Sequence, residues 1–153
     1  MSQPWIVACM AQLLELDGTE TVLEIGTGSG YAAAVLALLG REVVTVERVE
    51  SLAARARAVL AELGYDNVEV RTGDGSLGAP DRAPFGGISV TAAARDEPPR
   101  ALFDQLAPGA ALVCPVERGQ RELLVRFRDG EEEPVAAVRF VPLLGGLEAA
   151  DGD

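Results

Sequence analysis

The sequence predicts an α/β protein: a doubly wound, mostly parallel seven-stranded sheet with an antiparallel hairpin at its C-terminal end. Three observations predict it. Short apolar runs alternate with longer segments of helical spacing, the pattern of repeated β-α-β units. Three alternating glycines, Gly26, Gly28 and Gly30, stand between the first apolar run and the next helical segment, a Rossmann-like strand–turn–helix. Near the C-terminus two further apolar runs are joined by a short connection, which only antiparallel neighbours can share.

Each element has a local reason. Residues 4 to 16 read as a helix opened by Pro4, with Ile6, Val7, Met10, Leu13 and Leu14 at helical spacing and Asp17-Gly18 as its stop. Thr21 to Ile25 is the first strand, and Tyr31 to Leu39 a helix closed by Gly40. Glu42 to Val46 is the second strand, with Glu47 at its tip. Ser51 to Leu63 is a helix whose Leu52, Ala56, Val59, Leu60 and Leu63 are expected to face the sheet. Val68 to Arg71 is the third strand, followed by the turn Gly73-Asp74-Gly75 and a Gly/Pro-rich loop to Pro84. Ile88 to Thr91 is the fourth strand, Pro98 to Leu106 a helix, Pro108-Gly109 a turn, and Ala111 to Val116 the fifth strand. Leu123 to Phe127 and Val135 to Phe140 form the hairpin, its turn starting at Asp129-Gly130 and kept in water by Glu131, Glu132 and Glu133.

The 153 residues suffice for one domain with a real core, expected over 1–146, with 147–153 as a frayed tail. Aromatics are only 5%, so aliphatic side chains must fill that core. The net charge of -11 argues against nucleic acid as a partner, because phosphates need a basic surface. Arginine supplies all the basic residues, which fits either a GC-rich genome or a high-salt cytoplasm. There is no histidine, which removes Ser-His-Asp and Cys-His chemistry and any histidine metal site; no metal is expected. Cys9 and Cys114 are expected as buried free thiols rather than a disulfide. Neither a charged leader nor a long apolar span is evident, so a soluble cytoplasmic protein without membrane contact is expected.

Three features carry chemistry on spacing alone: the glycine turn, Glu47 and Asp74. Gly26 and Gly28 would let a ligand approach the backbone where a side chain would block it. A dinucleotide pattern, Gly-x-Gly-x-x-Gly, would need glycine at 31, where Tyr31 stands. Gly-x-Gly-x-Gly after an acidic residue instead opens S-adenosylmethionine (AdoMet) methyltransferases. Glu47, about twenty residues on, can accept hydrogen bonds from ribose hydroxyls; the plainer reading is an exposed strand-end glutamate. Asp74, between two glycines, either accepts from an adenine amine or is an ordinary turn residue. Ser2 is unremarkable by composition.

Together these stretches resemble one family: protein-L-isoaspartate (D-aspartate) O-methyltransferase. Matching segments are Ser-Gln-Pro-Trp-Ile-Val-Ala at 2 to 8, Val-Leu-Glu-Ile-Gly-Thr-Gly-Ser-Gly-Tyr at 22 to 31, and Glu-Leu-Gly-Tyr-Asp-Asn-Val at 62 to 68. Gly-Asp-Gly at 73 to 75, Ala-Pro-Phe at 83 to 85, Val-Thr-Ala-Ala-Ala at 90 to 94 and Arg-Phe-Val-Pro-Leu at 139 to 143 complete the set. The resemblance implies an AdoMet-dependent methyltransferase fold. It implies AdoMet held by Glu24, Gly26, Thr27, Gly28, Ser29, Gly30, Glu47, Arg48, Asp74 and Gly75. It further implies that Ser2 positions the isoaspartyl carboxylate, and that Thr91, Ala92, Val141 and Pro142 line the groove for an isoaspartyl protein or peptide. The enzyme would act as a monomer in protein repair. Such chemistry suits a chain without histidine, because the nucleophile is a carboxylate already ionised at neutral pH.

Some positions depart from the family. Members normally carry several tens of residues before the serine, so Ser2 is expected at a loosely held terminus. Gly86-Gly87 stands where Asp often follows Ala-Pro-Phe, and Arg95 brings a cation toward the expected substrate groove. Two rival readings follow: a non-catalytic scaffold or cofactor binder, and a methyltransferase for another carboxylate in a modified peptide.

Overall fold

The computed structural model describes residues 2–147; residues 148–153 of the expected tail lie outside the described residues. In chain order the elements are α1 (Pro4–Leu13), β1 (Thr21–Ile25), α2 (Tyr31–Leu39), β2 (Glu42–Glu47), α3 (Glu50–Glu62) and β3 (Val68–Thr72). Next come β4 (Phe85–Val90), β5 (Ala94–Arg95), α4 (Arg100–Phe103), β6 (Leu106–Arg118), β7 (Arg121–Arg128) and β8 (Glu131–Ala137). Two 3₁₀ turns, Gly75–Leu77 and Pro80–Arg82, fill the long connection after β3.

The sheet runs β3-β2-β1-β4-β6-β7-β8, with the two-residue β5 paired to β6 outside that path. Pairs from β3 to β6 are parallel; β6–β7 and β7–β8 are antiparallel. The expected seven strands are all present, and β5 adds an eighth. The strand order reverses between β1 and β4, where a crevice opens at the carboxyl ends of the strands.

Alternation along the strands divides the core in two. Val22, Val43, Val70, Ala111 and Val113 point to the face covered by α1, α2 and α3. Leu23, Ile25, Val44, Ile88, Leu112 and Cys114 point to the other face. That second face is covered chiefly by Leu102 and Phe103 of α4, Phe85 and Ala79. The Phe103 and Phe127 rings meet edge to face there, 5.4 Å between centroids.

Several expectations are corrected. α1 stops at Leu13, not residue 16, because Glu15 takes a left-handed φ of 51° and pairs with Arg126 and Arg128. α3 turns its small side chains inward: Ala53, Ala56 and Leu60 are buried, whereas Leu52, Val59 and Leu63 are exposed. Alanine lets the helix sit close to the glycine turn, where a Cβ on Gly30 would touch Leu60 at 3.3 Å and Ala56 at 3.5 Å. The helix expected over 98–106 is one turn, Arg100–Phe103. Pro98 and Pro99 contribute no N–H, and at the far end the Gln105 carbonyl accepts from Phe85 N–H, drawing Leu106 into β6. The Pro108-Gly109 turn lies inside β6, where the register slips between Phe85 and Gly87 and Gly109 takes φ 76°. The final strand covers Glu131–Ala137 rather than 135–140, so the three glutamates are paired rather than looped. Water reaches β8 as an edge strand, so acids are tolerated there. Both cysteines are free; Cys114 is buried and Cys9 half-buried. Burial pushes the Cys114 thiol up to about 12.

Candidate functional site

β1 ends at Ile25, and the chain must turn sharply to enter α2. Gly26, Gly28 and Gly30 take φ of 93°, 53° and 88°, a region side chains disfavour. The three differ in what surrounds them. A Cβ on Gly26 would overlap Thr91 Oγ1, and one on Gly30 would press on α3. At Gly28 nothing lies within 4 Å of the added carbon. Gly26 and Gly30 therefore serve the fold, while Gly28 leaves backbone open to a ligand.

The turn spends most of its donors internally. Gly26 N–H donates to Val46 O at 2.9 Å, and Gly30 N–H to Thr27 O at 2.9 Å. Gly28 N–H donates to Glu47 Oε2 at 2.9 Å, and Val49 N–H to Glu47 Oε1 at 3.1 Å. Thr91 closes the other side: its N–H donates to Ile25 O, and its hydroxyl lies 2.7 Å from Gly26 O. A pyrophosphate would need several of these N–H groups free. What remains is a turn that can receive a ligand with donors of its own. Glu47 is buried yet lines the cavity, and a carboxylate has about four acceptor sites, so it can still take hydroxyl donors.

Beneath the turn lies a buried polar chain. Thr45 Oγ1 donates to Glu24 Oε1 at 2.6 Å, and Thr27 Oγ1 lies 2.6 Å from Thr45 Oγ1. Glu24 is fully buried, and its Oε2 has no partner among the described residues. Burial, opposed by the Thr45 hydrogen bond and helped by the charge of Glu47, raises the Glu24 carboxyl to about 8. At neutral pH it is mostly a neutral acid.

The cavity above the turn has a volume of about 610 Å³, within the range of cofactor and ligand pockets. It brings together Ser2, Gly26, Thr27, Gly28, Ser29, Glu47, Arg48, Gly75, Thr91, Ala92, Val141 and Pro142. Three expected residues do not line it: Glu24 lies below the turn, Gly30 caps α2, and Asp74 faces sideways. Asp74 accepts from Ser76 N–H at 2.9 Å and from the Ser76 hydroxyl at 2.6 Å. The Ser76 hydroxyl, with Gly146 N–H and Arg48 nearby, holds the Asp74 carboxyl below its usual range. Gly75 must stay bare because a Cβ would run into Ile25. The segment after β8 builds the remaining wall: Ala93 N–H donates to Val141 O at 2.7 Å, and Leu143 N–H to Ala93 O at 2.8 Å. Arg95 does not line the cavity.

Sequence reasoning missed Thr45, Val49, Leu52 and Arg139. Val49 and Leu52 make an apolar wall beside Glu47. Their signal was available, since two apolar residues follow an acidic strand tip at helical spacing. Thr45 was a lone hydroxyl in a run of valines, and a polar group buried there must find a partner. Arg139 is exposed at the rim.

A family model described as protein-L-isoaspartate(D-aspartate) O-methyltransferase matches residues 1–148. The chain belongs to that family. A protein-L-isoaspartate O-methyltransferase of Anaeromyxobacter dehalogenans is 55% identical over 150 residues, covering 94% of this chain and 71% of the relative. One from Myxococcus xanthus is 50% identical over 153 residues, covering 95% and 72%. A solved protein-L-isoaspartate O-methyltransferase superposes with TM-score 0.87 at 32% identity, over 96% of this chain and 49% of that one. This chain thus spans about half of that solved protein. The Plasmodium falciparum protein, titled a putative protein-L-isoaspartate O-methyltransferase in complex with S-adenosyl-L-homocysteine, has TM-score 0.79 at 23% identity. It covers 94% of this chain and 75% of its own, and supports the fold. As an isoaspartate methyltransferase family member, the chain is not favoured as a scaffold without catalysis. Among the described residues no helix is long and apolar enough to cross a membrane, and no three His, Cys, Asp or Glu side chains gather as a metal site.

Proposed function

We propose that this chain methylates the free carboxylate of L-isoaspartyl residues in damaged proteins, using AdoMet. One observation carries the proposal: a single cavity joins the glycine turn and Glu47 to Ser2, Thr91 and the Val141-Pro142 segment. Gly28 offers bare backbone to the amino-acid end of the cofactor, Glu47 accepts from the ribose hydroxyls, and Val49 and Leu52 flank the adenine. Gly26, Thr27, Ser29, Arg48 and Gly75 complete that side, with Glu24, Gly30 and Asp74 supporting from behind. Ser2, Thr91, Ala92, Val141 and Pro142 form the substrate side.

AdoMet supplies a methyl group on a sulfonium, transferred as the carboxylate oxygen forms its bond to carbon and the electrons of the breaking C–S bond stay on sulfur. No base is needed, because an exposed carboxylate is ionised at pH 7. The protein's part is alignment, which is worth up to about 7–11 kcal/mol in the best intramolecular cases. Ser2 positions by donating its hydroxyl to the substrate carboxylate. We further read residues 1–146 as one methyltransferase domain acting as a cytoplasmic monomer.

The test is a vapour-diffusion assay with methyl-labelled AdoMet. An isoaspartyl peptide is expected to yield labelled methanol after base treatment, and the aspartyl isomer none. Equal labelling of both, or of neither at saturating cofactor, defeats the proposal.

A further inference from the structure

The two sides of the cavity differ in charge. The cofactor side carries Glu47 and Arg48. The substrate side is made by Ser2, Thr91, Ala92 and residues 139–144, and among these described residues Arg139 alone is charged. Its backbone is held in place. Val138 N–H donates to Glu122 O at 3.0 Å, and Phe140 N–H to Glu122 Oε1, so the chain on both sides of Arg139 is tied to β7. Val138 and Phe140 pack on the core, whereas Arg139 and Val141 are exposed. The acid that this tether brings close, Glu122, thus spends Oε1 on a backbone N–H and not on the guanidinium. Arg118, Arg126 and Arg128 are each paired with a glutamate. No carboxylate among the described residues pairs with Arg139. In a chain of net charge -11, the cation left unmatched at the cavity stands on the substrate side.

We propose that Arg139 is a specificity-determining residue that favours isoaspartyl sites with an aspartate or glutamate within two residues of the damaged position. The proposal rests on the methyltransferase reading and names a substrate class within it. The reacting carboxylate has to lie inside the cavity, against the sulfonium. A residue at the rim meets what flanks it. Two residues of extended peptide span about 7 Å. Salt screens charges over about 8 Å at physiological ionic strength. Arg139 therefore acts on flanking charge through its field, with no single fixed contact required. A guanidinium also stays charged at any working pH. Without it, an acidic peptide would meet only the repulsion of an acidic protein.

The experiment measures kcat/KM for two isoaspartyl peptides that differ only in their flanks. One has glutamates on both sides of the isoaspartyl residue; the other has glutamines there. The readout is the ratio of the two, acidic over neutral. Arg139→Gln should lower this ratio about threefold, and Arg139→Glu about tenfold, the scale of one exposed ion pair removed and then reversed. Arg139→Lys keeps the charge and should hold the wild-type ratio within about 1.5-fold. The change should fall on KM, because a rim charge governs encounter and not chemistry. The drop in Arg139→Gln should shrink at about 0.5 M salt. An unchanged ratio in Arg139→Gln, or as large a drop in Arg139→Lys, overturns the proposal. S-adenosylhomocysteine affinity checks that each variant is folded, and Arg139→Glu decides alone if Arg139→Gln is not. Failure of the wild type to methylate either peptide would instead strike the methyltransferase reading itself.

Discussion

Two walls of one cavity are built on opposite terms. The glycine turn is tied at nearly every residue: to β2 through Gly26, to Glu47 through Gly28, to Thr91 through its carbonyls, and to α2 through Gly30. The segment after β8 is held by Ala93 through two backbone bonds. It is held again at Gly146, whose carbonyl receives Arg48 Nε at 3.4 Å. Val141 is 70% exposed and Leu144 51%. On the function proposed above, the cofactor is the same molecule at every turnover, so its wall can be rigid, whereas a damaged residue arrives in any peptide sequence, so its wall has to be shallow and yielding.

The contrast can be broken at its rigid end. Gly26→Ala is expected to have the largest effect, about 2–3 kcal/mol of stability, from a disfavoured φ plus overlap with Thr91. Urea unfolding would check it, and a loss below half of that would show that the turn yields. Gly28→Ala sharpens the same point. Nothing would touch the new carbon in the free protein, so stability should fall by only about 1 kcal/mol. S-adenosylhomocysteine binding should weaken more than tenfold, as the carbon occupies ligand space.

Acidity separates the walls in another way. The Glu24 carboxyl is raised from 4.5 to about 8, so the folded chain holds a proton that the unfolded chain releases. Its favourable contribution is fully present below about pH 4.5 and is lost as pH rises through 8. Unfolding free energy of Glu24→Gln, measured from pH 5 to 9, should therefore fall less steeply than that of wild type. Parallel curves would contradict the raised carboxyl. The smallest effect belongs to the yielding wall: Val141→Ala should change stability by less than about 0.5 kcal/mol. It should still raise KM for an isoaspartyl peptide while leaving S-adenosylhomocysteine affinity unchanged.

The legible parts of the molecule were those with local causes. The turn from Gly26 to Gly30 declared itself because positive φ demands glycine. The parallel strands declared themselves because burial on both faces demands unbroken runs such as Val43-Val44-Thr45-Val46. The illegible parts depended on distant partners. Nothing near α3 says that Val59 stays outside while Ala56 and Leu60 face inward; closeness to Gly30 decides it. Nothing near Glu131 says that it belongs to a strand; β7 alongside decides that. The cavity was half legible. Glu47 stood out by position, whereas Thr45 acquires meaning only when Glu24 and Thr27 are seen on either side of it.

The last strand has a consequence for how copies of this protein meet. A sheet that stops at β8 offers a free row of backbone groups to any neighbouring chain. Here that border carries Glu131, Glu132 and Glu133, and then Pro134, which has no N–H to give. Arg118 and Arg126 neutralise two of the acids from within. The remaining charge and the missing donor fall where a second sheet would try to dock. The open seam of one copy is thereby kept from adding to the seam of the next.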